Sequence, residues 1–281
     1  MARSLHLLLV TLSVVLLLSG PAAAQGFGSR LLRTFFVFAE QPLSSSVAEA
    51  NGWSRLSSTC DPDVGYAYAQ SPSGPTSLSP VTLYYTAAGQ LSGFGVRVSG
   101  KIEQNLVNHG FWRRVAGQSD TYDIYIRTRD AKFMCSGAKS LDVIGDRLEI
   151  NSFFTVPLNQ SVAVKQGWAP GNCIGRMGIH HSFDLAAFGG NSWNASTLVP
   201  VQPMYDAQRH TINAILFNMP HAEYTEPIGM FEGPFTNGLF CKNWCADSGC
   251  TFDIGFHLWS TMHFHFVDPS TISCTGSPCV L

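Results

Sequence analysis

Charge is what this chain has least of. Asp, Glu, Lys and Arg make up 13% of its 281 residues, about half the share of an average soluble domain. No run of like charges occurs. A nucleic-acid partner needs a face dense in Lys and Arg, and the nearest approach is the pairs Arg113 with Arg114 and Arg127 with Arg129, so nucleic acid is not expected as a partner. A polybasic membrane-surface patch is excluded on the same ground. After residue 24 no apolar run approaches the roughly 20 residues that a spanning helix requires, so no membrane span is expected in the mature chain. Gly-rich phosphate loops, His-Glu-x-x-His and EF-hand spacings are also lacking, which argues against a nucleotide cofactor. Internal repeats are not visible, and helical periodicity nowhere persists beyond about two turns.

What is present begins with a leader. In residues 1–24, Arg3 supplies a positive start, Leu5 to Leu18 is almost unbroken apolar sequence, and Ala22, Ala23 and Ala24 form a small-residue cleavage site. That is the pattern of a secretory signal peptide. The expected product is a secreted, extracellular protein spanning residues 25–281.

Secretion changes the meaning of the cysteines. Cys60, Cys135, Cys173, Cys241, Cys245, Cys250, Cys274 and Cys279 are eight in number, and an even count in an oxidising compartment reads as disulfides. The spacing of Cys241, Cys245 and Cys250 resembles a metal-ligand cluster, but the compartment favours bridges over zinc there. The segment 241–281 is expected to be stapled to itself and tied back to Cys60, Cys135 or Cys173. Two sequons, Asn159-Gln160-Ser161 and Asn194-Ala195-Ser196, are expected surface sites for N-glycans.

Short runs rich in β-branched and aromatic residues, punctuated by Gly, Pro, Asn and Asp, predict a mainly β chain with little helix. Strands are expected at Thr34 to Ala39, Val81 to Thr86, Leu91 to Val98, Tyr122 to Thr128, Arg147 to Pro157, Ser161 to Gln166, Ile174 to Phe183, Thr211 to Met219 and Phe256 to Val267. A short helix is expected in Ser44 to Gly52. Successive strands without helical crossovers imply an antiparallel β-sandwich or barrel. The Pro/Ser-rich stretch from Ser71 to Pro80 is too short for an interdomain linker, so a single domain with a disulfide-rich C-terminal segment is expected.

The last strand carries the most chemistry. Alternation places His257, Trp259, Thr261, His263 and His265 on one face and Leu258, Met262, Phe264 and Phe266 on the other. His263 and His265 then stand roughly 6.5–7 Å apart at Cβ, from which two imidazoles can converge on one zinc or copper ion. A further ligand would come from His257, His180, His181, Asp184, Asp268 or Glu226. The plainer expectation is that this face looks into water, with histidine a tolerable exterior residue.

Two other sets stand out. His180, Ser182 and Asp184 share a face, with His181 turned to the opposite one. A catalytic triad is not expected from same-face neighbours on one strand without a nucleophile elbow. The loop Tyr224 to Phe235 presents Glu226 and Glu232, which could serve as paired carboxylates or as two solvated charges. Two functions are compatible with all this. One is a secreted glycoprotein that binds an extracellular protein, glycan or small molecule, or builds matrix. The other is a metal-dependent hydrolase or oxidoreductase built on the His-x-His strand.

Overall fold

A computed structural model describes residues 26–35, 37–70, 80–185, 192–220, 231–235, 251–253 and 259–275. The expected leader, His257, Glu226, Cys241, Cys245, Cys250 and Cys279 lie outside these residues.

The chain opens with a hairpin of β1 (Leu32–Phe35) and β2 (Val37–Glu40), followed by α1 (Ser45–Ala50). It then builds a whole sheet from β3 (Trp53–Arg55), β4 (Tyr66–Gln70), β5 (Val81–Tyr85), β6 (Leu91–Ser99), β7 (Arg113–Arg114), β8 (Thr121–Arg127), β9 (Glu149–Ile150) and β10 (Phe154–Thr155), with α2 (Gln104–Asn108) between β6 and β7. After α3 (Gln160–Lys165) it returns to the first sheet through β11 (Ala169–Ile174), β12 (Gly178–Ser182), β14 (Val201–Tyr205), β15 (Ile212–Pro220), β16 (Glu232–Phe235) and β18 (Trp259–His265). The first sheet runs β11-β12-β14-β15-β18-β1-β2 with β16 also on β18, and the second runs β10-β9-β8-β6-β5-β4-β3 with β7 on β8. Every pairing within these two sheets is antiparallel, while β13 (Ser192–Asn194) and β17 (Thr251–Asp253) form a separate parallel ribbon. Neither sheet closes into a barrel, and the architecture is a β-sandwich.

One apolar cluster draws on both sheets. Leu83, Tyr85, Phe94, Val96, Tyr122, Ile124 and Ile126 of the second sheet meet Ile215, Phe217, Met262 and Phe264 of the first. Phe94 is the bridging ring, with its centroid 4.7 Å from Phe264 and 6.2 Å from Phe217, and each such aromatic pair adds about 0.5–1.5 kcal/mol beyond its buried area. Of the tryptophans, Trp53, Trp112, Trp168 and Trp259 are buried, which is a packing role. Two disulfides pin the periphery: Cys60 to Cys135, and Cys173 on β11 to Cys274 beyond β18. The second is a tie from the C-terminal segment to one of the three upstream cysteines, as expected.

Several expected elements are corrected. Thr34 to Ala39 is not one strand, because the chain reverses between Phe35 and Val37 to pair β1 with β2. Arg147 to Pro157 is broken into β9 and β10 by left-handed Asn151 and Ser152. Asn151 is held in that conformation by accepting from the Tyr125 N–H and donating to the Gly110 and Phe111 carbonyls. Ser161 to Gln166 is helix α3 rather than strand, started by Asn159, whose side chain accepts from the Ser161 N–H. Its Val162 and Val164 are exposed and Ala163 is buried, so the β-branched pair lies outside the core. Ile174 to Phe183 turns at Arg176, also left-handed, and becomes the β11–β12 hairpin.

Candidate metal centre

The arginine pairs explain the missing basic face. Arg113 and Arg114 lie over the rings of Tyr125 and Tyr122, Arg127 pairs with Glu149, and Arg129 is fully buried, donating to the carbonyls of Leu91, Asp142 and Val143. Arg127 and Arg129 are thus turned into the fold, which leaves the exposed Arg113 and Arg114 as an isolated pair.

On β18 the expected alternation holds. Met262, Phe264 and Phe266 enter the sandwich core, which turns Thr261, His263 and His265 to the other side of the sheet. That side is not open water. His263 is 4% exposed, His265 0% and Thr261 3%, which overturns the expectation of a solvated exterior face.

The register brings a third imidazole to the same face. His180 on β12 lies opposite Met204, Met204 opposite Ala214, and Ala214 opposite His265, a row crossing β12, β14, β15 and β18. Residues directly opposite in antiparallel strands share a face, so His180 and His265 do. Gln202, Leu216 and His263 make the next row, and Asn218, Thr261 and Glu232 the one after. The strip between the imidazoles is apolar, with Met204, Ala214 and Leu216 packed together and Met177 against them. Across it the His180 ring comes within 6.3 Å of His263, centroid to centroid, and His263 stands 6.1 Å from His265.

Metal–nitrogen bonds of about 2.0–2.1 Å put the centroids of two imidazoles on one tetrahedral ion about 5.2 Å apart, so the spacings of 6.3 and 6.1 Å must each close by about 1 Å for a shared ion. The orientations do not yet converge: the His263 and His265 rings lie nearly parallel, at 21°. Among the described residues no group of three or more His, Cys, Asp or Glu side chains is placed to hold a metal ion as the side chains stand. Turning the rings about χ2, a broad and roughly two-fold torsion, is what convergence asks for.

His265 is short of partners. Among the described residues, both nitrogens of His265 and the side-chain nitrogen and oxygen of Asn218 are buried without a hydrogen bond, while His180 bonds to the backbone of Asn172 and Gly178. His263 Nδ1 lies 2.9 Å from Glu232 Oε2, but the N–H direction misses the oxygen, so no aligned hydrogen bond forms. Thr261 Oγ1 donates to the same carboxylate oxygen at 3.4 Å. Burial, then the neighbouring His263, push the His180 pKa down to about 3, against hydrogen bonding to the Asn172 backbone. The same two causes take His265 to about 3. Both rings are neutral at ordinary pH, the state a metal ligand requires.

The remaining expected residues separate. His181 is on the opposite side, its ring 4.7 Å from Tyr205, Nδ1 at 3.1 Å from the Ile179 carbonyl and Nε2 near Gln160. Burial lowers its pKa to about 4. It is a packed histidine, not a companion of His263. Ser182 Oγ accepts from Gln202, and Asp184 lies past the end of β12 at a bridge to Leu198. Asp268 lies beyond β18 and accepts from the Ser270 N–H. Glu232, expected on a loop, instead opens β16 and pairs opposite Thr261.

Asn218 was not anticipated from the sequence. The signal was available in the alternation of β15, which puts Asn218 on the face of Leu216 and Ala214. Compared with known proteins, the chain matches no family model, no curated protein and no solved structure.

Proposed function

We propose that this chain is a secreted, disulfide-stapled metal-binding protein that takes one late first-row transition ion, zinc or copper, between His180, His263 and His265. One observation carries the reading: three buried imidazoles share a face, His180 and His265 with neutral rings, and His265 with both nitrogens unpartnered among the described residues. An unsatisfied buried polar group costs about 1–3 kcal/mol, and a bound ion removes that cost for each nitrogen it engages. Neutral imidazole suits zinc and copper better than magnesium or calcium, which prefer oxygen.

Secretion rests on the leader sequence and agrees with the two disulfides. A glycan on Asn159 agrees with its exposed position. Three protein ligands leave a fourth position for water or substrate, the arrangement of a catalytic rather than a purely structural ion, and this favours the metal-dependent enzyme over the matrix component.

Elemental analysis of protein secreted from a eukaryotic host tests the reading. Near-stoichiometric zinc or copper is expected in the wild type and its loss in the double variant His263→Ala, His265→Ala. A wild type that emerges metal-free and takes up neither ion on reconstitution would falsify it.

A further inference from the structure

Glu232 is a carboxylate brought to the histidine face by a separate strand. β18 has β15 along the whole of one edge, but its other edge is divided: β1 pairs with Phe264 and His265, while β16 pairs with Thr261 and Trp259. β16 thus occupies the stretch of edge that β1 leaves, and its first residue is Glu232. Opposite Thr261 and on the face of Thr261 and His263, the carboxylate is only 14% exposed at the side chain, and its Oε2 lies 2.9 Å from His263 Nδ1. The Thr261 hydroxyl holds the same oxygen from the other side. Register, rather than the reach of a flexible loop, delivers it.

We infer that Glu232 is a positioning residue for the metal centre, one that accepts a hydrogen bond from His263 Nδ1–H and so leaves Nε2 as the ligating atom. This rests on the metal reading of the site and deepens it. The chemistry is that of a carboxylate behind a ligating histidine. Accepting from one ring nitrogen fixes the tautomer, directs the lone pair of the other, and raises its basicity. At 2.9 Å the His263 Nδ1 and Glu232 Oε2 are already at hydrogen-bond distance, so alignment asks for a ring turn and no translation. The negative charge further favours a cation over a neutral ligand in the same space.

The test uses the full secreted chain stripped of metal and titrated with Cu(II) alone against a competing chelator, in the wild type, Glu232→Ala and Glu232→Gln. Paramagnetic resonance spectra are taken of each loaded form. Affinity is expected to fall about 10–100-fold in Glu232→Ala, with one ion still bound. Glu232→Gln, which keeps an acceptor oxygen, should recover part of the loss, and its copper spectrum should match the wild type because the ligand set is unchanged. Equal affinity in the wild type and both variants overturns the role of Glu232 while leaving the metal site standing. A changed spectrum in Glu232→Gln overturns it too, because the carboxylate is then itself a ligand. A wild type that binds no Cu(II) overturns the metal reading itself and this inference with it. Thermal melts of the metal-free variants separate a folding defect from an affinity loss.

Discussion

His265 shows most plainly what the fold gives up at this site. Its side chain is wholly buried and both ring nitrogens lack partners, whereas an apolar residue of similar size would leave nothing unsatisfied. His265→Leu is therefore expected to leave the metal-free protein as stable as the wild type or about 1 kcal/mol more stable, while abolishing metal uptake. Urea unfolding paired with metal titration reads both. A loss of several kcal/mol in the metal-free variant would mean that the imidazole is a structural group. The same burial predicts acid lability. The unfolded chain takes up protons near the ordinary value of 6.5, while folded His180 and His265 do so only near 3. A histidine with a depressed folded pKa stabilises fully above 6.5, and that stability drains as pH falls from 6.5 toward 3. The metal-free wild type should lose up to about 1.4 kcal/mol per pH unit for each such ring in this window. Urea midpoints across the range should fall less steeply for His265→Leu, and an identical slope would contradict the account.

Among the elements, β8 and β18 show what alternation makes legible and α3 what it hides. Tyr122, Ile124 and Ile126 enter the core as their period-2 pattern implies, and His263 and His265 share a face for the same reason. Alternation states which residues share a face, not whether that face is covered, so the burial of the β18 histidines was not readable. His180 joins them only through pairings across β14 and β15, contacts that no local pattern encodes. Val162 and Val164 suggest a strand where helix α3 forms, and Asn159 of the sequon is also its N-cap. The dual role of Asn159 yields a prediction. Asn159→Ala should remove both glycan and cap, costing about 0.5–2 kcal/mol. Asn159→Asp should remove the glycan yet keep the cap. Gel mobility reports the first effect and thermal melting of enzymatically deglycosylated protein the second. Equal destabilisation by both variants would rule out the capping role.

Across the whole molecule, low charge and two long-range disulfides work together. Because exposed ion pairs such as Arg30–Glu40 and Lys132–Asp130 contribute about 0–1 kcal/mol each, stability rests on the aromatic seam between the sheets and on cross-links. The Cys173–Cys274 bridge closes a separation of 101 residues and spans the sheet, from β11 beside His180 to the segment after His265. Replacing both cysteines with serine should cost about 2–5 kcal/mol, read from urea unfolding, and no measurable loss would show that the sandwich core alone sets the stability.

The central claim is that His180, His263 and His265 hold one ion. Anomalous diffraction from crystals of the metal-loaded protein, collected at the zinc or copper absorption edge, tests it most directly. A single strong peak is expected, with ring nitrogens of all three histidines about 2.0–2.1 Å away and Glu232 against His263 behind it. A peak elsewhere in the molecule, or no peak at these three histidines, would rule it out.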